Sequence, residues 1–113
     1  MAQSVVLTSS VAGTASGTLS GVLGEIIGIK AVLGTGMLTP SLTVTCDTTA
    51  KALDGVTVSA NTYYKPRVGA TTNDGSTAIT NSYIPYFNMG SDMTVAITGG
   101  VSTKTITVTV YYR

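Results

Sequence analysis

Residues 104–113 read Lys104-Thr-Ile-Thr-Val-Thr-Val-Tyr-Tyr-Arg113, and apolar residues alternate with threonine along most of this stretch. In an extended chain, successive side chains point to opposite faces. The apolar face would consist of Ile106, Val108, Val110 and Tyr112, and the opposite face of Thr105, Thr107, Thr109 and Tyr111. β-Branched and aromatic residues pack well on a pleated sheet. The stretch therefore predicts a β-strand with one buried and one outward face.

Two other stretches show the same alternation, at residues 42–46 and 93–98. Both predict strands whose apolar residues share one face. Gly99-Gly100 lies between the last two predicted strands, and glycine adopts positive φ without steric cost. A Gly-Gly pair between alternating runs is typical of a β-hairpin. We therefore predict a hairpin in the C-terminal quarter of the chain.

Residues 21–33 are the one region where a helix competes with a strand. Leu23, Ile26, Ile27 and Lys30 stand at helical spacing, but Gly24 and Gly28 interrupt them. Each interior glycine costs about 1 kcal/mol relative to alanine in a helix. The strand interpretation is favoured, with the glycines marking a bulge or a close backbone approach. Its shared face would contain Leu23, Ile27, Ile29, Ala31 and Leu33.

Turn residues divide the rest of the chain into short segments. Asp54-Gly55 precedes a short run at 56–59, and Asn73-Asp74-Gly75 lies between runs at 63–68 and 77–82. Residues 9–20 are nearly all small, which fits a flexible arm or the loop of a first hairpin within residues 1–20. The whole pattern predicts one all-β domain over residues 1–113, with about eight short strands. We expect an antiparallel two-sheet β-sandwich with jelly-roll or Ig-like Greek-key connections, a small barrel being the alternative.

The charge content is low. Charged residues make up 10% of the 113 residues, and the net charge is +1. This balance argues against a nucleic-acid partner and against an anionic membrane surface. Soluble domains carry about a quarter charged residues. Two interpretations remain open: copies of the chain or a partner cover much of the surface, or a threonine- and serine-rich surface is solvated through its hydroxyls.

Catalytic and metal-binding residue types are scarce. The chain has no histidine, which removes the usual base for a serine, threonine or cysteine nucleophile. The single cysteine, Cys46, lies on the apolar face of its predicted strand, so we expect it in the core. The five carboxylates are well separated in sequence and form no calcium-loop pattern. We therefore expect no enzymatic activity, no metal and no cofactor. A single cysteine and the lack of an export signal fit a chain that stays in the cytoplasm where it is made.

Most of the aromatic residues cluster near two prolines, Pro66 and Pro85, with cations beside them. Tyrosine supplies a large contact area at little conformational cost, so such a cluster suits a protein interface or the sandwich core. A platform for a ligand such as a sugar ring is the alternative. Two cations are too few to draw single-stranded nucleic acid to these rings. The interface candidates are Tyr63, Tyr64, Lys65, Arg67, Tyr83, Tyr86, Phe87, Tyr111 and Tyr112.

A series of short motifs resembles a family of small structural proteins encoded among the virion genes of tailed bacteriophages. The motifs are, in order, Tyr64-Lys-Pro-Arg67, the turn Thr72-Asn-Asp-Gly-Ser76, Tyr83-Ile-Pro-Tyr86, and residues 93–97 leading through Gly99-Gly100 to residues 105–113. The early Ser16-Gly-Thr-Leu-Ser-Gly21 followed by residues 26–32 is also similar. The resemblance covers most of the chain.

This resemblance implies a capsid decoration, or cement, protein that binds across capsomer joints and stabilises the head. The partner would be the major capsid protein, and the chain would form a homo-oligomer, with a trimer favoured. It would be assembled in the host cytoplasm and end on the capsid surface of the virion. The alternatives are a head–tail or tail component, and a carbohydrate-binding adhesion module that uses the tyrosine cluster.

Overall fold

The computed structural model describes residues 1–46, 50–71, 78–90 and 92–113. These residues form eleven β-strands and contain no helix. The strands are β1 (Ala2–Thr8), β2 (Ala15–Leu19), β3 (Leu23–Leu33), β4 (Ser41–Cys46), β5 (Ala50–Thr57), β6 (Thr62–Tyr64), β7 (Arg67–Thr71), β8 (Ala78–Pro85), β9 (Phe87–Met89), β10 (Met93–Thr98) and β11 (Thr105–Tyr112).

Nine of these strands form two antiparallel sheets, one of five strands and one of four. Sheet A has the order β1-β11-β3-β6, and β9 also pairs with the start of β3. Sheet B has the order β2-β10-β4-β5. From β1 to β4 each strand crosses to the other sheet, and β10 and β11 return to opposite sheets, which is a jelly-roll arrangement. The predicted all-β sandwich is confirmed, and its sheets end in open edges, unlike those of a barrel.

The core lies between the sheets and is built from the predicted alternation. The fully buried residues include Ile106, Val108 and Val110 of β11, Met93 and Val95 of β10, and Leu42, Val44 and Cys46 of β4. They belong to one hydrophobic cluster with residues from both sheets. Burying an aliphatic side chain of this size stabilises a fold by about 1.5–3 kcal/mol. Cys46 is thus a core residue, as its position in the alternation predicts.

The predicted C-terminal hairpin is wrong. The strands β10 and β11 on either side of Gly99-Gly100 do not pair with each other, because β10 lies in sheet B and β11 in sheet A. The intervening residues cross from one sheet to the other. Both strands still point their apolar faces into the same core, so alternation alone does not distinguish a hairpin from a crossing between sheets.

The strand predicted for residues 21–33 is confirmed as β3, and so is the bulge. The register with β11 shifts between Gly28 and Ile26, which leaves Ile27 as the extra residue. Beyond the bulge the faces exchange, so Ile26 is fully buried and Leu23 is exposed. The predicted shared face of Leu23 and Ile27 is therefore wrong at its N-terminal end, while Ile29 and Ala31 are buried as predicted.

Two loop predictions also need correction. Residues 15–19, placed in an arm or a hairpin loop, form β2 and pair with β10, and β1 pairs with β11. Asp54-Gly55 is not a turn between strands but a bulge inside β5, since Leu42 and Val44 of β4 face Val56 and Leu53. Side-chain size and polarity did not reveal the pairing of β1 and β2, because their partner strands β11 and β10 lie near the other end of the chain.

The strands β7 and β8 form a separate two-stranded antiparallel sheet, with Arg67 opposite Pro85. These two strands overlap the short runs predicted on either side of Asn73-Asp74-Gly75. The predicted turn itself, Asn73-Asp74-Gly75, lies outside the described residues. The first predicted run is divided, because Tyr64 ends β6 in sheet A and β7 begins after the buried Pro66.

Ser9 holds the crossing from β10 to β11 against the end of β1. Its side chain is buried, its hydroxyl donates to the carbonyl of Val101, and it accepts from the backbone N–H of Lys104 at 3.0 Å. Ser9→Ala leaves the partly buried N–H of Lys104 without its side-chain acceptor. We expect the free energy of unfolding to fall by about 1–3 kcal/mol, measured by urea denaturation.

Ser4→Ala is the matched control for Ser9→Ala. Ser4 is exposed, and its hydroxyl makes a 2.7 Å hydrogen bond to the hydroxyl of Thr109 at the surface. Its loss should change stability by about 0.5 kcal/mol or less. Equal losses for the two alanine variants would contradict a structural role for the buried hydroxyl.

Candidate interaction surfaces

The outer side of sheet A carries mostly hydroxyl and small apolar side chains. We call this surface the threonine face; it comprises Ala2, Ser4, Val6, Thr8, Lys30, Val32, Thr105, Thr107, Thr109 and Tyr111. These residues alternate with the buried ones of β1, β3 and β11, and the antiparallel register aligns them across the three strands. Lys30 is the one charged member of this set. The outward threonines predicted from the alternation of β11 are therefore confirmed.

The outer side of sheet B is uncharged along β2, β10 and β4, and its charged residues, Lys51 and Asp54, lie on the edge strand β5. Its outward residues are Ser16, Thr18, Ser41, Thr43, Thr45, Thr94, Ala96 and Thr98. Each is exposed or half-buried. The sandwich therefore presents two broad, nearly uncharged surfaces, one on each side.

Two of the predicted tyrosines form a pair on the outer side of sheet A. The rings of Tyr63 and Tyr111 lie 5.9 Å apart between centroids and are tilted by 52°. The Tyr63 ring lies over Gly28 of β3, where a β-carbon would collide with it. Tyr63 pairs with Lys30 in the register of β6 and β3. The absence of a side chain at Gly28 thus allows an aromatic surface to form beside the ammonium-bearing Lys30.

The structure separates the other predicted interface candidates. Tyr112 is buried in the core, and Tyr64 and Tyr86 are half-buried and pack against it. Lys65, Arg67, Tyr83 and Phe87 are exposed. The Arg67 guanidinium donates from Nη1 to the carbonyl of Pro66 at 2.8 Å. The aromatic residues are therefore not one patch: three belong to or border the core, two form the pair on sheet A, and two lie elsewhere on the surface.

An apolar patch that the sequence did not reveal lies where β3 begins. Leu23 pairs with Met89 and Glu25 with Phe87, and alternation places all four on the outer side of this ribbon. Leu23, Phe87 and Met89 have exposed fractions of 59%, 51% and 74%. We call these three residues the apolar end patch. The exposed Tyr83 and Ile84 of β8 lie shortly before Phe87 in the chain.

Asn88 explains why Phe87 and Met89 point outward. Its side chain is fully buried, and Nδ2 donates to the carbonyl of Val22 at 2.6 Å. The usual pattern of polar residues outside and apolar residues inside is therefore inverted along β9. The sequence Phe-Asn-Met gives no sign of this inversion, because the acceptor lies 66 residues earlier in the chain.

The ion pairs lie away from the centres of both outer faces. Arg113 Nε lies 3.2 Å from Glu25 Oε2, and the two residues also exchange backbone hydrogen bonds at 2.9 and 3.0 Å. Lys51 Nζ lies 3.7 Å from Asp54 Oδ1 on β5. Exposed pairs of this kind contribute about 0–1 kcal/mol each.

Among the described residues, no group of three or more histidine, cysteine, aspartate or glutamate side chains is placed to hold a metal ion. Within the same part of the chain, a search for helices long and apolar enough to cross a bilayer finds none. Comparison of the chain with protein-family models, with curated proteins and with solved structures found no match.

Proposed function

We propose that this chain is a structural component of a bacteriophage virion, most specifically a capsid decoration protein that binds the major capsid protein across capsomer joints. The observation that carries the proposal is the near absence of charge on both outer faces of the sandwich. The resemblance of its motifs to virion structural proteins supports a phage capsid as the shell. No catalytic group is needed for this role.

The composition of the two faces supports burial against other proteins. A surface that stays in water as a monomer carries roughly 25–35% charged residues. The threonine face has Lys30 as its one charge, and the outward side of β2, β4 and β10 has none. Protein interfaces are depleted in charge at their centres and enriched in aromatic residues. The pair of Tyr63 and Tyr111 at the edge of the threonine face fits that composition.

The size of the chain fits a subunit with several contacts. Its accessible surface is 6113 Å², and a stable interface takes about 800 Å² from each partner. The two outer faces, on opposite sides of the sandwich, thus leave room for separate contacts. Because the β scaffold between the two faces is rigid, a chain bound to one capsomer on each face would hold the two capsomers at a fixed separation. The jelly roll is also used by viral capsid and lectin domains, which is an analogy at the level of fold.

The copy number in purified particles tests the virion proposal. A decoration protein should be present at a copy number comparable with that of the major capsid protein, measured by quantitative mass spectrometry. A far smaller copy number, set by the single tail vertex, would support a head–tail component instead. Absence of the chain from particles would contradict both virion roles.

Thr107→Lys tests whether the threonine face makes the contact. Lysine there places a hydrated ammonium at the centre of the proposed interface, so we expect binding to undecorated particles to fall at least tenfold in a sedimentation assay. A tenfold loss corresponds to about 1.4 kcal/mol. Thr35→Lys, in the exposed loop between β3 and β4, is the matched control and should bind like the parent. If both variants decorate particles equally, the threonine face is solvent-exposed in the virion.

The exposed tyrosine pair favours a second candidate, a carbohydrate-binding adhesion module. Tyr63 and Tyr111 present aromatic surface beside Lys30, where a sugar ring would stack. This candidate predicts that the parent protein is retained on a glycan array and that Tyr63→Ala is not. Retention of both proteins or of neither would remove this alternative.

A further inference from the structure

The four edge strands of the sandwich are not equally protected against pairing with another chain. Natural sheets block their edges with charges, proline, bulges or very short strands. On one side, β5 carries the ion pair of Lys51 with Asp54 and a bulge at Gly55. Beside it, β6 has three residues, and Lys65 and Pro66 follow directly. Both edges on this side are blocked.

The opposite side has no such protection. The strand β1 is seven residues long and reads Ala-Gln-Ser-Val-Val-Leu-Thr, without charge, proline, glycine or a shift in its register with β11. The edge of sheet B on this side is β2, which reads Ala-Ser-Gly-Thr-Leu and is also uncharged. The two edges lie close together, because a β-carbon at Gly17 would come within 3.1 Å of the Val5 side chain.

The hydrogen bonds of β1 show which backbone groups are directed outward. Met1 and Tyr112 exchange two backbone hydrogen bonds of 2.9 Å, and the N–H of Ser9 donates to Lys104 at 2.8 Å. Hydrogen-bonded and non-hydrogen-bonded pairs alternate along an antiparallel ladder. Between the hydrogen-bonded residues Met1 and Ser9, every second residue of β1 therefore points its N–H and C=O groups away from β11. These residues are Ala2, Ser4, Val6 and Thr8, and all four are exposed.

We propose that β1 pairs antiparallel with β1 of a second copy of this chain, across a twofold axis at Val5. The outward-directed groups match in this register, with Ala2 opposite Thr8 of the second copy and Ser4 opposite Val6 of the second copy. The side chains of the two Val5 residues meet on the inner side, so the sandwich core continues across the axis. The inference deepens the proposed assembly role by naming a second copy as the partner of this edge.

Two features favour a second copy as the occupant. In a twofold pairing Val5 faces itself, and Ser4 and Val6 each lie diagonally across from their own copies, so a charge at these positions would lie near a like charge. The strand β1 carries no charged side chain. A closed ring formed by edge pairing would need a second free edge on the far side of each chain. The edges β5 and β6 on the far side are blocked, which favours the twofold arrangement.

Complementary charge variants test both the edge and the register. Ser4→Lys/Val6→Lys places lysines opposite lysines across the axis, and Ser4→Glu/Val6→Glu does the same with glutamates. We expect sedimentation equilibrium to give the parent twice the 11.5 kDa chain mass and each variant alone the single-chain mass. An equimolar mixture of the two variants should regain the doubled mass, because each lysine then faces a glutamate. Regained pairing would also show that both variants fold.

The control is Thr94→Lys/Thr98→Lys, two exposed positions on the central strand β10, which should leave the doubled mass unchanged. A parent that is monomeric or trimeric would overturn the proposal. Charge variants that stay dimeric, or a mixture that stays monomeric, would overturn it as well. A monomeric parent that binds particles only with β1 intact would assign the edge to a shell strand instead of a second copy. Sedimentation equilibrium uses the purified protein without particles, and particle binding is measured separately, so failure of the dimer leaves the decoration proposal to its own copy-number test.

Discussion

Leu42→Ala is expected to lower the free energy of unfolding by about 2–5 kcal/mol. Leu42 lies in the middle of the core, is fully buried, and pairs with Ile97 of β10 and Val56 of β5. The substitution removes buried methyl and methylene groups and leaves a cavity that the two surrounding sheets fill only in part. A domain of this size has a total stability of about 5–15 kcal/mol, so the loss would be a large fraction of it.

Leu38→Ala is the control for Leu42→Ala, since the chemical change is identical. Leu38 lies in the loop before β4 and has an exposed fraction of 65%. We expect a change of about 0.5 kcal/mol or less for this variant. Urea denaturation of both proteins, followed by circular dichroism, compares them directly. Similar losses at the two positions would mean that the core is not where the structure places it.

Gly13→Ala is the second substitution with a large expected effect. Gly13 has φ of +79°, a conformation that costs an L-residue about 1–2 kcal/mol. A β-carbon at this position would also collide with the backbone carbonyl of Gly100, whose N–H donates to the Gly13 carbonyl at 3.0 Å. The contact joins the loop between β1 and β2 to the loop between β10 and β11. Relieving the collision must move one of these loops, at a further cost of about 1–3 kcal/mol.

Gly21→Ala separates these two costs. Gly21 has φ of +75°, nearly the same as Gly13, but a β-carbon there would meet no atom within 4 Å. We expect it to lose about 1–2 kcal/mol from the backbone conformation alone. The difference between the two alanine variants in urea denaturation then measures the contact between the loops. No difference would show that this contact contributes little to the folded state.

Local alternation predicted the three clearest strands and their buried faces. The threonines and valines of β11 and the apolar residues of β4 and β10 are placed as predicted, because side-chain direction along a strand depends only on neighbouring positions. The partner of each strand was not predictable in this way. Gly99-Gly100 suggested a hairpin, yet β10 and β11 lie in different sheets. A tight turn and a crossing between sheets both use glycine, and only contacts with distant strands select one of them.

The candidate surfaces were likewise predictable only in part from the sequence. The sequence predicted that the outward strand faces carry threonine and little charge. It did not predict which tyrosines lie in the core and which on the surface. Tyr112 is in the core and Tyr111 on the surface because they are adjacent in β11, but Tyr63 joins Tyr111 only through the pairing of β6 with β3. The apolar end patch was missed because the β3 bulge turns Leu23 outward and the buried Asn88 turns Met89 outward.

The amino-acid sequence by itself determined that this chain is all-β, with an apolar face on each clear strand and a surface poor in charge, and it favoured a sandwich over a barrel. These properties depend on composition and on a period of two residues, which are local. Only the tertiary structure decided the jelly-roll order, the position of the bulges, and which edges stay open. Those properties depend on hydrogen bonds between strands such as β1 and β11, which lie about a hundred residues apart in the chain. The unprotected β1 edge exists because that pairing leaves its other side free.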